Sequence, residues 1–144
     1  MSVNTLDKIY TEDKIAFQKE RYAKAAHEFE KLFEAPPSRF FSAPGRTEVG
    51  GNHTDHNHGR VLAAGVSLDV IAAVIPTDDG VIKVKSEGFP MDTVDIYDLE
   101  VHKEEQNTSA ALIRGVAAGF CQRGYKIGGF SAYPPSNVRK GSGL

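Results

Sequence analysis

Cysteine is almost absent from this chain of 144 residues: Cys121 stands alone and makes no intramolecular disulfide. The first eight residues also lack the basic-then-apolar order of a signal peptide, and the two absences together predict a reducing, cytoplasmic location. No charge of one sign dominates. The 17 basic and 19 acidic residues leave a net charge of -2, with no basic stripe interleaved with aromatics, which excludes an electrostatic grip on nucleic acid. No long hydrophobic run is present either. The most apolar stretch, residues 61–75, is broken by Ser67 and Asp69 and falls short of the roughly 20 residues that span a membrane. Two sequons, at Asn52 and Asn107, carry meaning only in a secretory compartment and read as chance matches. Internal repeats and low-complexity segments are absent.

What is present is ordinary globular composition, 40% hydrophobic and 25% charged, at a length typical of one domain. Glycine and proline are missing between residues 11 and 34, where Ile15, Tyr22, Ala26, Phe29 and Phe33 recur near helical spacing. This predicts an amphipathic helix with Thr11 as its N-cap, stopped by Pro36 and Pro37. Residues 39–43 read as a short strand ending at Pro44-Gly45, and residues 61–64 and 68–75 as further strand, the latter buried on both faces and ended by Pro76. Asp79-Gly80 predicts a β-hairpin into residues 81–85, and residues 93–97 predict another strand. Ala110, Ile113, Ala117 and Phe120 mark a second helix over residues 109–123 with Gly124 just past its end, and residues 128–133 read as a last strand. Strands and helices without strict alternation predict an α+β fold with a mixed, mostly antiparallel sheet packed by helices.

The densest polar cluster is residues 44–59, read as one long loop between two strands and therefore as a binding loop. Arg and His donate hydrogen bonds, Asp accepts, Asn does both, and glycines let a small ligand approach the backbone, a mixture that suits a neutral polyol. Three other readings stay open for this loop. His53, Asp55, His56 and His58 are metal-ligating types, His53 and Asp55 form a candidate acid/base pair, and turn formers also make plain solvated loops. A second segment, residues 136–144, ends in Lys140-Gly141-Ser142-Gly143-Leu144. Glycine-rich loops bind phosphate where backbone N–H groups converge on the anion, and they also serve as flexible turns.

Ser42-Ala43-Pro44-Gly45-Arg46, then Gly51 and His53-Thr54-Asp55, followed by the apolar return after Gly59, resembles the galactokinase signature. That family is one of the small-molecule kinases that include homoserine, mevalonate and phosphomevalonate kinases, and its glycine-rich phosphate loop is what residues 140–144 would begin. The resemblance implies transfer of the ATP γ-phosphoryl group to the anomeric hydroxyl of galactose, with Mg²⁺ bridging phosphate oxygens. It implies that Arg46, Asn52, His53 and Asp55 lie at the sugar, with Arg46 also neutralising charge near the reacting hydroxyl, and that Gly141, Ser142 and Gly143 touch the nucleotide. Asn52 stands where these kinases usually carry glutamate, Glu48 where they carry asparagine, Gly50 an aliphatic residue and His56 a tyrosine. A kinase for N-acetylgalactosamine and a non-catalytic sugar sensor are the alternative readings. The family's catalytic aspartate, serine run and second domain would follow Leu144, so residues 1–144 read as an N-terminal galactose-binding part cut within the phosphate loop. Alone, such a part is expected to lack kinase turnover and to expose apolar surface and edge strands.

Overall fold

The helix predicted over residues 11–34 forms as α1 (Ile15–Phe33), entered through a 3-10 turn at Glu12–Lys14. A computed structural model of the chain describes residues 3–51, 54–138 and 141. Thr11 is extended at the start of that turn, but its hydroxyl bonds the Asp13 carboxylate at 2.6 Å rather than the backbone, so it does not cap as predicted. The C-terminus closes with Glu34 in the left-handed region and its N–H on Glu30 O, just before the prolines. Gln18, Tyr22, Ala25 and Phe29 form the buried stripe, spaced as a 3.6-residue period requires.

Five strands form one sheet in the order β1-β2-β5-β3-β4: β1 (Arg39–Gly50), β2 (Leu62–Thr77), β3 (Val81–Lys85), β4 (Met91–Asp95) and β5 (Gly129–Tyr133). All neighbours are antiparallel except β3 and β5, which run parallel, so the α+β class and the mostly antiparallel sheet are as expected. The second helix is α2 (Ser109–Gln122). Thr108 caps it by accepting from Ala111 N, and Gly124 adopts φ +79 just beyond its end. Tyr133 of β5 lies in the cluster under α1, with Phe29, Ile71 and Ala73, whereas Phe130 of the same strand packs with Ile82, Val94 and Ala117 under α2. Because alternate residues of a strand point to opposite faces, the two helices cover opposite sides of the sheet.

Five expectations are corrected by the structure. β1 does not stop at Pro44-Gly45 but continues to Gly50, because β1 is an edge strand and an edge tolerates a residue without N–H on its free side. Residues 62–77 are one strand, not two, and Pro76 lies inside it where β2 has run past its β1 neighbours, whose pairing begins at Arg39 opposite Val74. β2 and β3 make no hairpin, since β5 lies between them. Gly129 enters β5 through the Asp79-Gly80 turn so closely that a Cβ there would sit 2.6 Å from Thr77 Oγ1 and 2.8 Å from Val81 N. Finally, Phe120 does not face the sheet: Leu112, Val116 and Phe120 are 74%, 62% and 50% exposed and form an outer apolar stripe along α2. That stripe and the outer edge of β1 are exposed in the structure. β4 falls two residues earlier than predicted.

Candidate functional site

Residues 44–50, read from sequence as half of a long loop, are strand, so the actual turn between β1 and β2 is only residues 51–61. Antiparallel pairing holds Pro44 opposite Asp69 and Arg46 opposite Gly65. Between these pairs the register shifts, so Gly45 alone faces Val66, Ser67 and Leu68 of β2. A Cβ on Gly45 would lie 3.2 Å from Val66 Cγ2 and 3.3 Å from Val138 Cγ2, so a side chain there would have to displace both methyl groups by a few tenths of an ångström. Past the bulge the Arg46 side chain is exposed and takes no partner among the described residues, and a Cβ on Gly65 opposite would meet only open space. A guanidinium is a donor of several hydrogen bonds, and here it is exposed to solvent on β1.

The turn is compact. Asp55–Asn57 is a single 3-10 turn, Thr54 Oγ1 donates to Gly51 O at 2.7 Å, and Thr54 O accepts from Asn57 N and Gly59 N. Gly51 has φ +119, and a Cβ on it would fall 2.6 Å from Arg60 O and 2.7 Å from Val61 Cα. Both the backbone conformation and the packing therefore demand glycine. Gly51→Ala is expected to cost about 1–3 kcal/mol, read as a lower thermal midpoint. An unshifted midpoint would show that the turn closes differently.

Beside the bulge lies a buried polar hub that the sequence reading passed over. Asp69, 2% exposed in the middle of β2, receives the Ser42 hydroxyl at 2.6 Å, the Tyr10 hydroxyl and the Arg21 guanidinium on its carboxylate. Its carbonyl accepts Arg21 Nη2 at 2.7 Å and Asn137 N at 3.2 Å, and its N–H donates to Asn137 Oδ1 at 2.7 Å. Burial by itself would raise the Asp69 carboxyl, but the hydrogen bonds from Ser42, Tyr10 and Arg21 and the Arg21 charge outweigh it and hold the group below the usual carboxylate range. Burial and the bond to Asp69 push the Tyr10 phenol up. The signal was available: one carboxylate in an otherwise apolar strand must find partners.

Of the residues predicted at the site, Arg46 sits on β1 next to the bulge and Asp55 begins the 3-10 turn. Gly141 lies in a turn at φ +79, three residues beyond Val138, which packs on Gly45. Asn52, His53, Ser142 and Gly143 lie outside the described residues. Among the described residues no three His, Cys, Asp or Glu side chains gather as metal ligands, and no helix is long and apolar enough to cross a membrane.

Residues 27–76 match the family model of the galactokinase galactose-binding signature, a span covering the end of α1, all of β1, the glycine-bounded turn and most of β2. The galactokinase of Chloroflexus aggregans is 36% identical over 117 residues, covering 81% of this chain and 30% of that protein. Among solved structures, the galactokinase of Lactococcus lactis complexed with galactose superposes with a TM-score of 0.75 at 25% identity, over 85% of this chain and 32% of its own. The mevalonate kinase of Methanococcus jannaschii shares the fold at a TM-score of 0.57 and 11% identity, over 74% of this chain and 34% of its own. The chain thus spans about 30% of the length of the curated relatives it matches. Signature, relatives and fold agree: the chain carries the galactokinase galactose-binding signature and resembles the N-terminal part of galactokinases in sequence and in fold.

Proposed function

We propose that the whole protein carrying these residues transfers the γ-phosphoryl group of ATP to the anomeric hydroxyl of galactose, giving galactose 1-phosphate and ADP, and that this chain supplies the sugar-recognition part. The observation that carries this reading is the signature match over residues 27–76, because it falls on the β1–β2 unit where Arg46 is exposed beside open space. In the transfer the anomeric hydroxyl gives up its proton to a base of the whole protein and its oxygen bonds to the γ-phosphorus as the bridging P–O bond to ADP breaks, and catalysis is mostly positioning and charge stabilisation. Arg46, exposed on β1 and without a partner among the described residues, balances negative charge at the reacting oxygen. Asn52, His53 and Asp55 supply hydrogen bonds to the sugar hydroxyls. Gly141, in an open turn with φ +79, begins the approach to the nucleotide phosphates, followed by Ser142 and Gly143. Nucleotide and Mg²⁺ supply the phosphoryl group and its charge compensation. The described residues offer no metal-ligand cluster, so no step is assigned to the ion.

The test is calorimetry on the whole protein with galactose and, because Asn52 replaces a usual glutamate, with N-acetylgalactosamine. Asp55→Ala is expected to weaken sugar binding about tenfold to a hundredfold, the range for losing one partner of a buried hydroxyl. Unchanged affinity removes Asp55 from the site. Tighter binding of the N-acetylated sugar reassigns the substrate, and sugar binding without galactose-dependent ADP release makes the protein a sensor rather than a kinase.

A further inference from the structure

We propose that Asp69 and Asn137 form a latch that fixes residues 135–138, which precede Gly141, to the strand pair carrying Arg46, which makes Asp69 a positioning residue for the transfer. The reaction it serves rests on the galactokinase reading above; the latch itself rests on geometry. Asp69 uses every polar group it has, and it uses them on different segments. Its carboxylate holds Ser42 of β1, Tyr10 of the segment before α1 and Arg21 of α1, while its backbone N–H and carbonyl hold Asn137 from both sides. The same stretch is reinforced on β2 by a bridge between Val70 and Ser136 and by Ile71 N donating to Pro135 O at 3.2 Å.

Across the bulge, Gly45 lies beside Val138: a Cβ built on Gly45 would come 3.3 Å from Val138 Cγ2, which puts the strand one residue before Arg46 next to the segment three residues before Gly141. A shift of residues 136–138 towards the sheet therefore presses on β1 at the bulge, and a shift away strains the bonds to Asp69. A buried carboxylate is a costly way to fill a strand position that neighbouring residues fill with apolar side chains. What it provides here is directionality: hydrogen bonds from several segments fix their relative register, which apolar packing leaves free to slide. A phosphoryl transfer needs that register, because donor and acceptor held about 1 Å out of line lose about a hundredfold in rate.

The experiment combines hydrogen exchange and steady-state kinetics on the whole protein carrying Asn137→Ala, which removes the acceptor for Asp69 N and keeps the carboxylate pair. Exchange is expected to rise about fivefold or more in both residues 44–50 and residues 134–138, with β4 and α2 unchanged as the control for global unfolding. The turnover number is expected to fall about tenfold or more with the KM for galactose within twofold, and Asn137→Asp, which keeps the acceptor oxygen, to restore it. Ser42→Ala, which removes a donor from the other side of the latch, gives the same paired response and serves if Asn137→Ala does not fold. Faster exchange in residues 134–138 alone would show that the two segments are not coupled and refute the latch. Coupled exchange with unchanged turnover would refute the positioning role. If the unmodified protein does not phosphorylate galactose, the galactokinase reading fails on that measurement, and the exchange result still decides the latch.

Discussion

Asp69→Ala is expected to destabilise the chain by about 3–5 kcal/mol, the range for breaking a buried ion pair by removing one partner. The side chains of Arg21 and Asp69 retain only 11% and 4% of their accessibility, so the guanidinium left behind is not rehydrated by simple exposure. Ser42 and Tyr10 also lose their acceptor, each a buried donor with a desolvation cost of its own. Against a typical total stability of about 5–15 kcal/mol, the loss is a large fraction. Replacing Arg21 and Asp69 together should be less harmful than the two single changes predict, because the second removes a charge the first has already orphaned. Strict additivity would mean that the pair is not coupled.

The same residue sets a pH dependence whose direction follows from its depressed pKa. In the folded chain the Asp69 carboxyl titrates below its ordinary value of 3.8, and in the unfolded chain at about 3.9. Folding therefore favours the ionised form. The stabilisation is fully present above about pH 4 and is lost as pH falls through the folded value. Urea midpoints of the unmodified chain and of Asp69→Ala should converge below about pH 4. A gap that stays constant into acid would assign the effect to packing instead of charge.

How much of this was legible in the sequence depends on whether the information was local. The 3.6-residue periods at Tyr22 and Phe29 and at Ile113 and Ala117 are local, and both helices form within a few residues of where those periods place them. The signature residues from Ser42 to Asp55 are contiguous enough to be recognised as a string. Sheet order is not local. Asp79-Gly80 has the chemistry of a hairpin turn, yet β5, arriving almost fifty residues later, inserts between β2 and β3 and uses Gly129 to pass through that turn. Pro44 and Pro76 stop strands only where both flanks are paired, and flanks are a property of the assembled sheet. The hub was illegible for the same reason: its partners stand at positions 10, 21, 42 and 137, and only Asp69 itself, a charge in an apolar run, announced that partners must exist.

Phe29→Ala should cost about 3–5 kcal/mol, whereas Phe120→Ala should change stability by no more than about 0.5 kcal/mol. Both are phenylalanines on amphipathic helices, and periodicity alone ranks them alike. Phe29 is 0% exposed, its ring 4.7 Å from that of Phe33, in the cluster that joins α1 to Ile71, Ala73 and Tyr133. Truncating it opens a cavity that rigid strands cannot close, which adds a void to the lost transfer free energy. Phe120 is 50% exposed on the outer stripe of α2 and touches Tyr125 edge-on, so truncation removes little buried surface. Urea unfolding distinguishes the two: a lower midpoint at unchanged slope for Phe29→Ala, and none for Phe120→Ala. A comparable loss in both would mean that the Leu112, Val116 and Phe120 stripe is covered in solution, and its dependence on protein concentration would then tell association from folding.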